Sequence, residues 1–122
     1  MEIGEFAARL TSLADLIHQL HLGTRSYAQH KALSFYVDVR DFVDDFTETW
    51  QGQFGQVDFD MVHVDPGPHS DPVGAVNAVC TALAQAKAEL ADDMAEHGHL
   101  VNMIEDLTAK AYHTLYKLKF LS

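Results

Sequence analysis

The sequence predicts an all-α protein: a four-helix bundle of two antiparallel hairpins, A–B and C–D, joined by a long B–C crossover. Three observations predict it. Apolar residues recur at helical spacing over four stretches of roughly 20–25 residues each. The breaks inside each hairpin are only a few residues long, which forces the flanking helices to lie antiparallel. The break in the middle is about twenty residues long, and its pattern alternates instead.

Residues 3–22 set Ile3, Phe6, Ala7, Leu10, Leu13, Ala14, Ile17 and Leu20 on one face, with Glu5, Ser12, Asp15 and Gln19 opposite. This is the first helix. Gly23 suits a left-handed cap and Ser26 can cap the next helix. The second helix runs over about 27–50. Its apolar arc is Phe35, Val39, Phe42, Val43, Phe46 and Trp50, and Leu33 and Val37 fall outside that arc. Gly52 and Gly55 end it. Residues 51–70 form the crossover. VDFDMVHVD alternates like a strand but has no partner strand in the sequence, so an extended connection is expected. It would lay Val57, Phe59, Met61 or their neighbours onto a groove between helices. Pro66-Gly67-Pro68 makes a turn.

Asp71 as N-cap and Pro72 at the first helical position start the third helix, over about 71–96. Val76, Val79, Leu83, Ala86, Leu90 and Met94 line its inner face. His97-Gly98-His99 is expected to interrupt it. The fourth helix covers about 99–121, with Leu100, Met103, Ile104, Leu107, Ala111, Leu115 and Leu118 inward. Lys110, Lys117 and Lys119 lie toward its C-terminal end, where the helix dipole favours cations. Tyr27, Tyr36, Tyr112 and Tyr116 read as core-edge aromatics. A crossover long enough to climb the outside of the bundle lets the second and third helices run parallel. Short, long, short is the ferritin-like order of connections.

The chain has 122 residues, 48% of them apolar and 21% charged, which is one ordinary domain with a real core. The net charge is −10, and the eight basic residues form no run. That excludes binding to a phosphate backbone and to anionic membranes, and favours cations or a basic protein partner. No stretch is apolar enough for a membrane helix and there is no leader pattern, so a cytoplasmic protein is expected. Cys80 is the only cysteine. Its apolar neighbours point to a plain buried thiol. Nucleophile elbows, phosphate loops and zinc-ribbon spacings are missing, which leaves hydrolase, kinase and dehydrogenase readings without support.

His18, His30 and Asp45 stand twelve and then fifteen residues apart. That spacing resembles the Dps-type mini-ferritins of the ferritin-like superfamily. They carry a histidine near the end of the first long helix, a second twelve residues on, and an acid fifteen further. Four residues later those proteins have a glutamate; this chain has Thr49, with Glu48 beside it. The resemblance implies a homo-oligomer with ferroxidase ligands between subunits, binding iron. The wording HLGTRSYAQHKAL, the TWQG after the acidic helix and the terminal TLYKLKFL are also similar to small ferritin-like proteins of tailed phages. That likeness implies a viral origin and a host cytoplasm, and brings no activity with it.

Helical phase bears on where a metal could sit. In the third and fourth helices Glu89, Asp92, Glu96, Glu105 and Asp106 lie away from the apolar faces. The single Glu-x-x-His, Glu96 to His99, straddles the expected turn. A di-metal centre inside one bundle is therefore disfavoured and the core reads as dry. On the second helix His30, Ser34, Asp38, Asp41, Asp45 and Glu48 share one outward stripe, with Asp44 beside it. This stripe is a solvated face, a metal site where two copies meet, or a surface for a basic partner. Imidazole and carboxylate ligands suit iron or manganese, and zinc less specifically. Near the first turn, His18 and His21 form a second candidate with His30, with His69 and Asp71 brought up from the start of the third helix. His97 and His99, with Asp93, could hold a cation weakly at the other end. The candidate metal ligands are thus His18, His21, His30, Asp41, Asp44, Asp45 and Glu48. Whether the protein is a ferroxidase or no enzyme at all stays open.

Overall fold

Only helices are present among the described residues of the computed structural model, which are 1–59 and 64–121. The first is α1, Ile3–Gly23. Glu2 caps it by accepting from the Gly4 amide. Gly23 is not left-handed. The helix ends as the Thr24 amide donates to Leu20, and Thr24 then turns extended. The Thr24 hydroxyl donates to Gln29 and accepts from the Ser26 amide, which fixes the turn without a special glycine.

The expected second helix is two helices. α2, Tyr27–Ala32, starts at Ser26, whose hydroxyl accepts from the Gln29 amide as expected. α3, Phe35–Phe54, comes after a break at Leu33 and Ser34. There the hydrogen bonds tighten to three-residue spacing: Ser34 to Lys31, Tyr36 to Leu33, Val37 to Ser34. A tighter turn advances the helical phase. This explains why Leu33, which falls off a uniform arc, is fully buried. It also takes His30 off the face that carries the α3 acids.

α3 passes through Gly52 and stops at Gly55, which has φ +102°. That conformation is strained for any residue with a Cβ. Gly55→Ala is therefore expected to cost about 1–3 kcal/mol. Gly52→Ala, inside the helix with open space around it, should gain about 0.5–1 kcal/mol. Urea unfolding of the two variants measures both, and equal effects would contradict this end point of the helix.

Residues 56–59, beyond Gly55, belong to neither helix nor strand. Val57 packs on the core, and the Asp58 carbonyl would sit 3.3 Å from a Cβ added at Gly4. The crossover therefore lies close against the start of α1. Met61 and His63 fall outside the described residues. α4, Pro72–Leu90, is capped by Asp71 as expected, its carboxylate accepting from the Gly74 amide at 3.1 Å. It ends earlier than expected, in a 3₁₀ turn over Ala91–Asp93. α5, Met94–Phe120, then runs straight through His97-Gly98-His99. The turn lies at 91–93 because Asp93 caps α5, accepting from the Glu96 amide. Gly98 lies inside a helix that tertiary packing holds.

One continuous core joins the helices. It is built from Phe6, Leu10, Leu13 and Ile17 of α1, Phe35 and Phe46 of α3, Leu83 and Leu90 of α4, and Ile104 and Leu107 of α5. The packed pairs are α1 with α3, α1 with α4, α3 with α5 and α4 with α5, and α2 sits against α5 and α1. Phe6 meets Phe42 and Phe46 late in α3, while His18 meets Tyr36 early in it, so α1 and α3 are antiparallel. Lys87 of α4 approaches Glu105 of α5 at 3.9 Å. Gln53 near the end of α3 bonds the Glu96 carbonyl near the start of α5. Three of the expected core-edge tyrosines are exposed: Tyr27 is 75%, Tyr112 61% and Tyr116 50% accessible. Tyr36 alone is half-buried. No described helix is long and apolar enough to cross a membrane.

Candidate metal centre

The turn between α1 and α2 brings His21 and His30 together. Their rings stack 3.7 Å apart, tilted by only 19°. His21 Nδ1 donates to the His30 carbonyl at 2.6 Å, and His30 Nδ1 donates to the His21 carbonyl at 2.8 Å. A carbonyl oxygen only accepts, so each ring must carry its proton on Nδ1. In the neutral form each Nε2 then keeps its lone pair. Metal-binding histidines are prepared in this way: the second ring nitrogen donates to a backbone carbonyl, which fixes tautomer and orientation. Both rings are half-buried.

His18 lies on the same end but in a different setting. Its ring stacks on Tyr36 at 4.0 Å, and its centroid is 6.1 Å from that of His21. Arg40 Nη2 approaches His18 Nδ1 at 3.5 Å, donates to Asp15 at 2.8 Å, and the guanidinium lies over Tyr36. Arginine cannot accept, so the neutral His18 carries its proton on Nε2. With Nδ1 facing a permanent cation, His18 is the poorest metal donor of the three. His69 rests over Gly67, and Asp71 is committed to capping α4. Neither is brought to the histidine pair as a shared site.

The acids of α3 are not one stripe. Asp38, Asp41 and Asp45 line a groove against α5, with Asp106 and Lys110 across it. Asp44 and Glu48 line a different groove, against α1, together with Asp15. Phe59 of the crossover also lines that second groove, as the alternation in VDFDMVHV suggested. The turn at Leu33 and Ser34 has already displaced His30 from these acids. Among the described residues no three His, Cys, Asp or Glu side chains converge as a metal-holding group within one chain. At position 49, where the mini-ferritins have a glutamate, the Thr49 hydroxyl donates to the Asp45 carbonyl.

The opposite end has a structural account. His97 Nδ1 donates to the Leu90 carbonyl and the ring packs beside Trp50 and Phe54. His99 Nε2 donates to Gln53. These histidines tie the 3₁₀ turn and the end of α3 together. Burial pushes the Cys80 thiol up from its ordinary pKa, which leaves less thiolate at neutral pH. In the α1–α3 groove the Thr47 hydroxyl is buried without a partner among the described residues. Thr47→Val removes that unpaired group and is expected to raise stability by about 1 kcal/mol, read as a higher urea midpoint.

What the sequence reading missed is the reciprocal bonding of His21 and His30. Nine residues separate them, and only the capped turn between the helices makes them neighbours. An all-helical chain whose first turn is clasped by two histidines, beside an acid-bearing helix, is the class that fold and site define. The chain belongs to a family of unknown function, DUF5856, whose model matches residues 21–118. That span begins at His21 itself. No curated protein and no solved structure matches the chain.

Proposed function

We propose that the helices form a four-helix bundle with ferritin-like connectivity. We further propose that the protein is a Dps-like homo-oligomer holding an iron-class divalent metal between copies. The connectivity rests on helix directions. Grooves that pair Glu2 and Glu5 with Ala86 and Glu89 set α1 antiparallel to α4, as it is to α3. α3 and α4 then run the same way, and the segment 55–71 has to climb alongside them. At about 3.3 Å per extended residue it spans the roughly 30 Å of a twenty-residue helix easily.

The observation that carries the metal reading is the His21–His30 clasp, which commits both Nδ1 atoms and leaves each Nε2 of these half-buried rings with its lone pair. Imidazole nitrogen together with carboxylate oxygen is a donor set for iron or manganese. The exposed Asp41, Asp44, Asp45 and Glu48 of a neighbouring copy supply the oxygens. Ferrous iron held there would lose its electron to dioxygen or peroxide from solution, or would simply be held; the chain's own part is to fix the imidazoles and bring the carboxylates. Protein purified without chelator is expected to carry roughly one iron-class metal per subunit, measured by elemental analysis. Metal-free protein that also fails to consume ferrous iron overturns the reading.

A second reading has one observation in its favour. The α3 acids are spread over two grooves, as a surface meeting a basic protein would be. Under it the chain is a non-enzymatic, phage-type helical module of the host cytoplasm, and charge reversal at Asp41 and Asp45 releases that partner.

A further inference from the structure

α5 has a second seam besides the one it buries. Glu105, Ala109, Tyr112, Tyr116 and Lys119 are all exposed, and their spacing is four, three, four, three. That is the interval at which side chains line one edge of a helix paired with another helix. The buried seam of the same helix, through Ile104, Leu107, Ala111 and Leu118, is already filled by α3 and α4. The exposed seam borders an open groove of about 370 Å³ between α4 and α5, lined by Cys80, Ala84, Ala109 and Tyr112. The two tyrosines stay 61% and 50% exposed; among the described residues Tyr116 has only the rings of His113 and Phe120, on its own helix, beside it.

The order of residues along the seam says what covers it. The seam is acidic at its start, small and then aromatic in the middle, and basic at its end. Laid antiparallel on itself about Tyr112, it becomes self-complementary. Glu105 meets Lys119 of the other copy, Tyr112 meets Tyr112, and Ala109 comes within one residue's rise of Tyr116. Each copy makes both halves of every pair, as a twofold contact requires. A parallel arrangement would instead set Glu105 on Glu105, Lys119 on Lys119 and tyrosine on tyrosine throughout. Lys87 of α4 lies 3.9 Å from Glu105 and holds the carboxylate at the groove edge, where both remain about half exposed. The seam spans fourteen steps from Glu105 to Lys119, about 21 Å of helix.

We propose that a second copy of this chain docks on α5, antiparallel, with Tyr112 at the twofold axis. The interface is independent of the metal reading, since it uses neither the histidine clasp nor the α3 acids.

Sedimentation velocity on the full chain tests it, with far-UV circular dichroism to verify that each variant is helical. The wild type is expected to dimerise at micromolar concentration. E105K alone or K119E alone sets like charges together twice per dimer and should weaken association by about tenfold or more. The doubly swapped E105K/K119E chain, made in a K87E background so that the neighbour of position 105 within the chain is swapped too, restores both pairs and should recover the wild-type dimer. As a second probe, Y112C in a C80S background should give a disulfide-linked dimer on mild oxidation. A monomeric wild type, a dimer indifferent to the single reversals, or a double swap that stays weak overturns the proposal. So does failure of Y112C/C80S to cross-link.

Discussion

Phe46→Ala is expected to lower the unfolding free energy by about 3–5 kcal/mol, as a large aromatic lost from a packed core does. Phe46 is 1% exposed. Its ring meets Phe6 edge-on at 5.4 Å and stacks with Phe42 at 5.1 Å. These contacts join the start of α1 to the second half of α3, where no loop connects the two helices. Truncation removes the transfer energy of the ring, leaves a cavity, and breaks aromatic pairs worth about 0.5–1.5 kcal/mol beyond their area. Against a total stability of about 5–15 kcal/mol, the loss is a large share. The melting temperature should fall by roughly 10–20 °C. Leu22→Ala, at a side chain 68% exposed, should change stability by less than about 0.5 kcal/mol. Thermal and urea unfolding of the pair decide the matter. A Phe46→Ala loss below about 1 kcal/mol would mean the aromatic cluster does not hold α1 to α3.

His30→Ala is expected to abolish metal retention. It also removes the Nδ1–H donor to the His21 carbonyl and the stack between the rings, costing about 1–2 kcal/mol. A loss of metal alone would therefore not separate ligand from clasp. His30→Asn separates them. Its amide N–H stands two bonds beyond Cβ, as Nδ1 does, so it can still donate to the His21 carbonyl, but it has no counterpart of Nε2. Stability close to wild type with no bound metal is the expected result, read by elemental analysis beside an unfolding curve. Wild-type metal content in His30→Asn removes His30 from the ligand set.

The helical content was legible in the sequence because it rests on periodicity. Most of the residues that a 3.6-residue repeat assigns inward from Ile3 to Leu118 are buried; Leu20 and Met103 are half-buried, Met94 is 49% exposed, and Ser12, expected on the outer face, is buried. Caps with a chemical signature were legible too: Ser26 and Asp71 do what their side chains allow. The misreadings cluster at glycines. Gly52 and Gly98 looked like helix ends, yet both lie inside helices, and Gly23, which does end α1, does so without the left-handed conformation expected of it. A glycine permits a break; tertiary packing and capping decide whether one occurs. The 3₁₀ turn at Ala91–Asp93 contains no glycine and is set by Asp93 as cap and His97 on the Leu90 carbonyl. The phase slip at Leu33 and Ser34 is a backbone event of two residues and leaves no compositional trace. Because of it, the expected single line from His30 to Glu48 is a histidine clasp at one end and acids in two grooves. Of the candidate ligands, His21 and His30 are brought together, and His18 is turned toward Arg40.

α2 has six residues, too few to persist as an isolated helix. Its order is borrowed from the Ser26 cap, from contacts with α5 and α1, and from the two imidazoles that lock it to the end of α1. A segment so held is expected to open at lower free energy than the helices around it, and its amides to exchange with solvent ahead of theirs. Opening pulls His30 away from His21 while the aromatic core stays folded. Under the proposed metal reading, an ion that needs His30 in place beside His21 would be bound only by molecules in which α2 is closed. Occupancy, in turn, raises the free energy of opening in proportion to the logarithm of ion concentration over dissociation constant. Under the proposed metal reading, local order at this end of the protein and affinity for the ion would be two readings of one equilibrium.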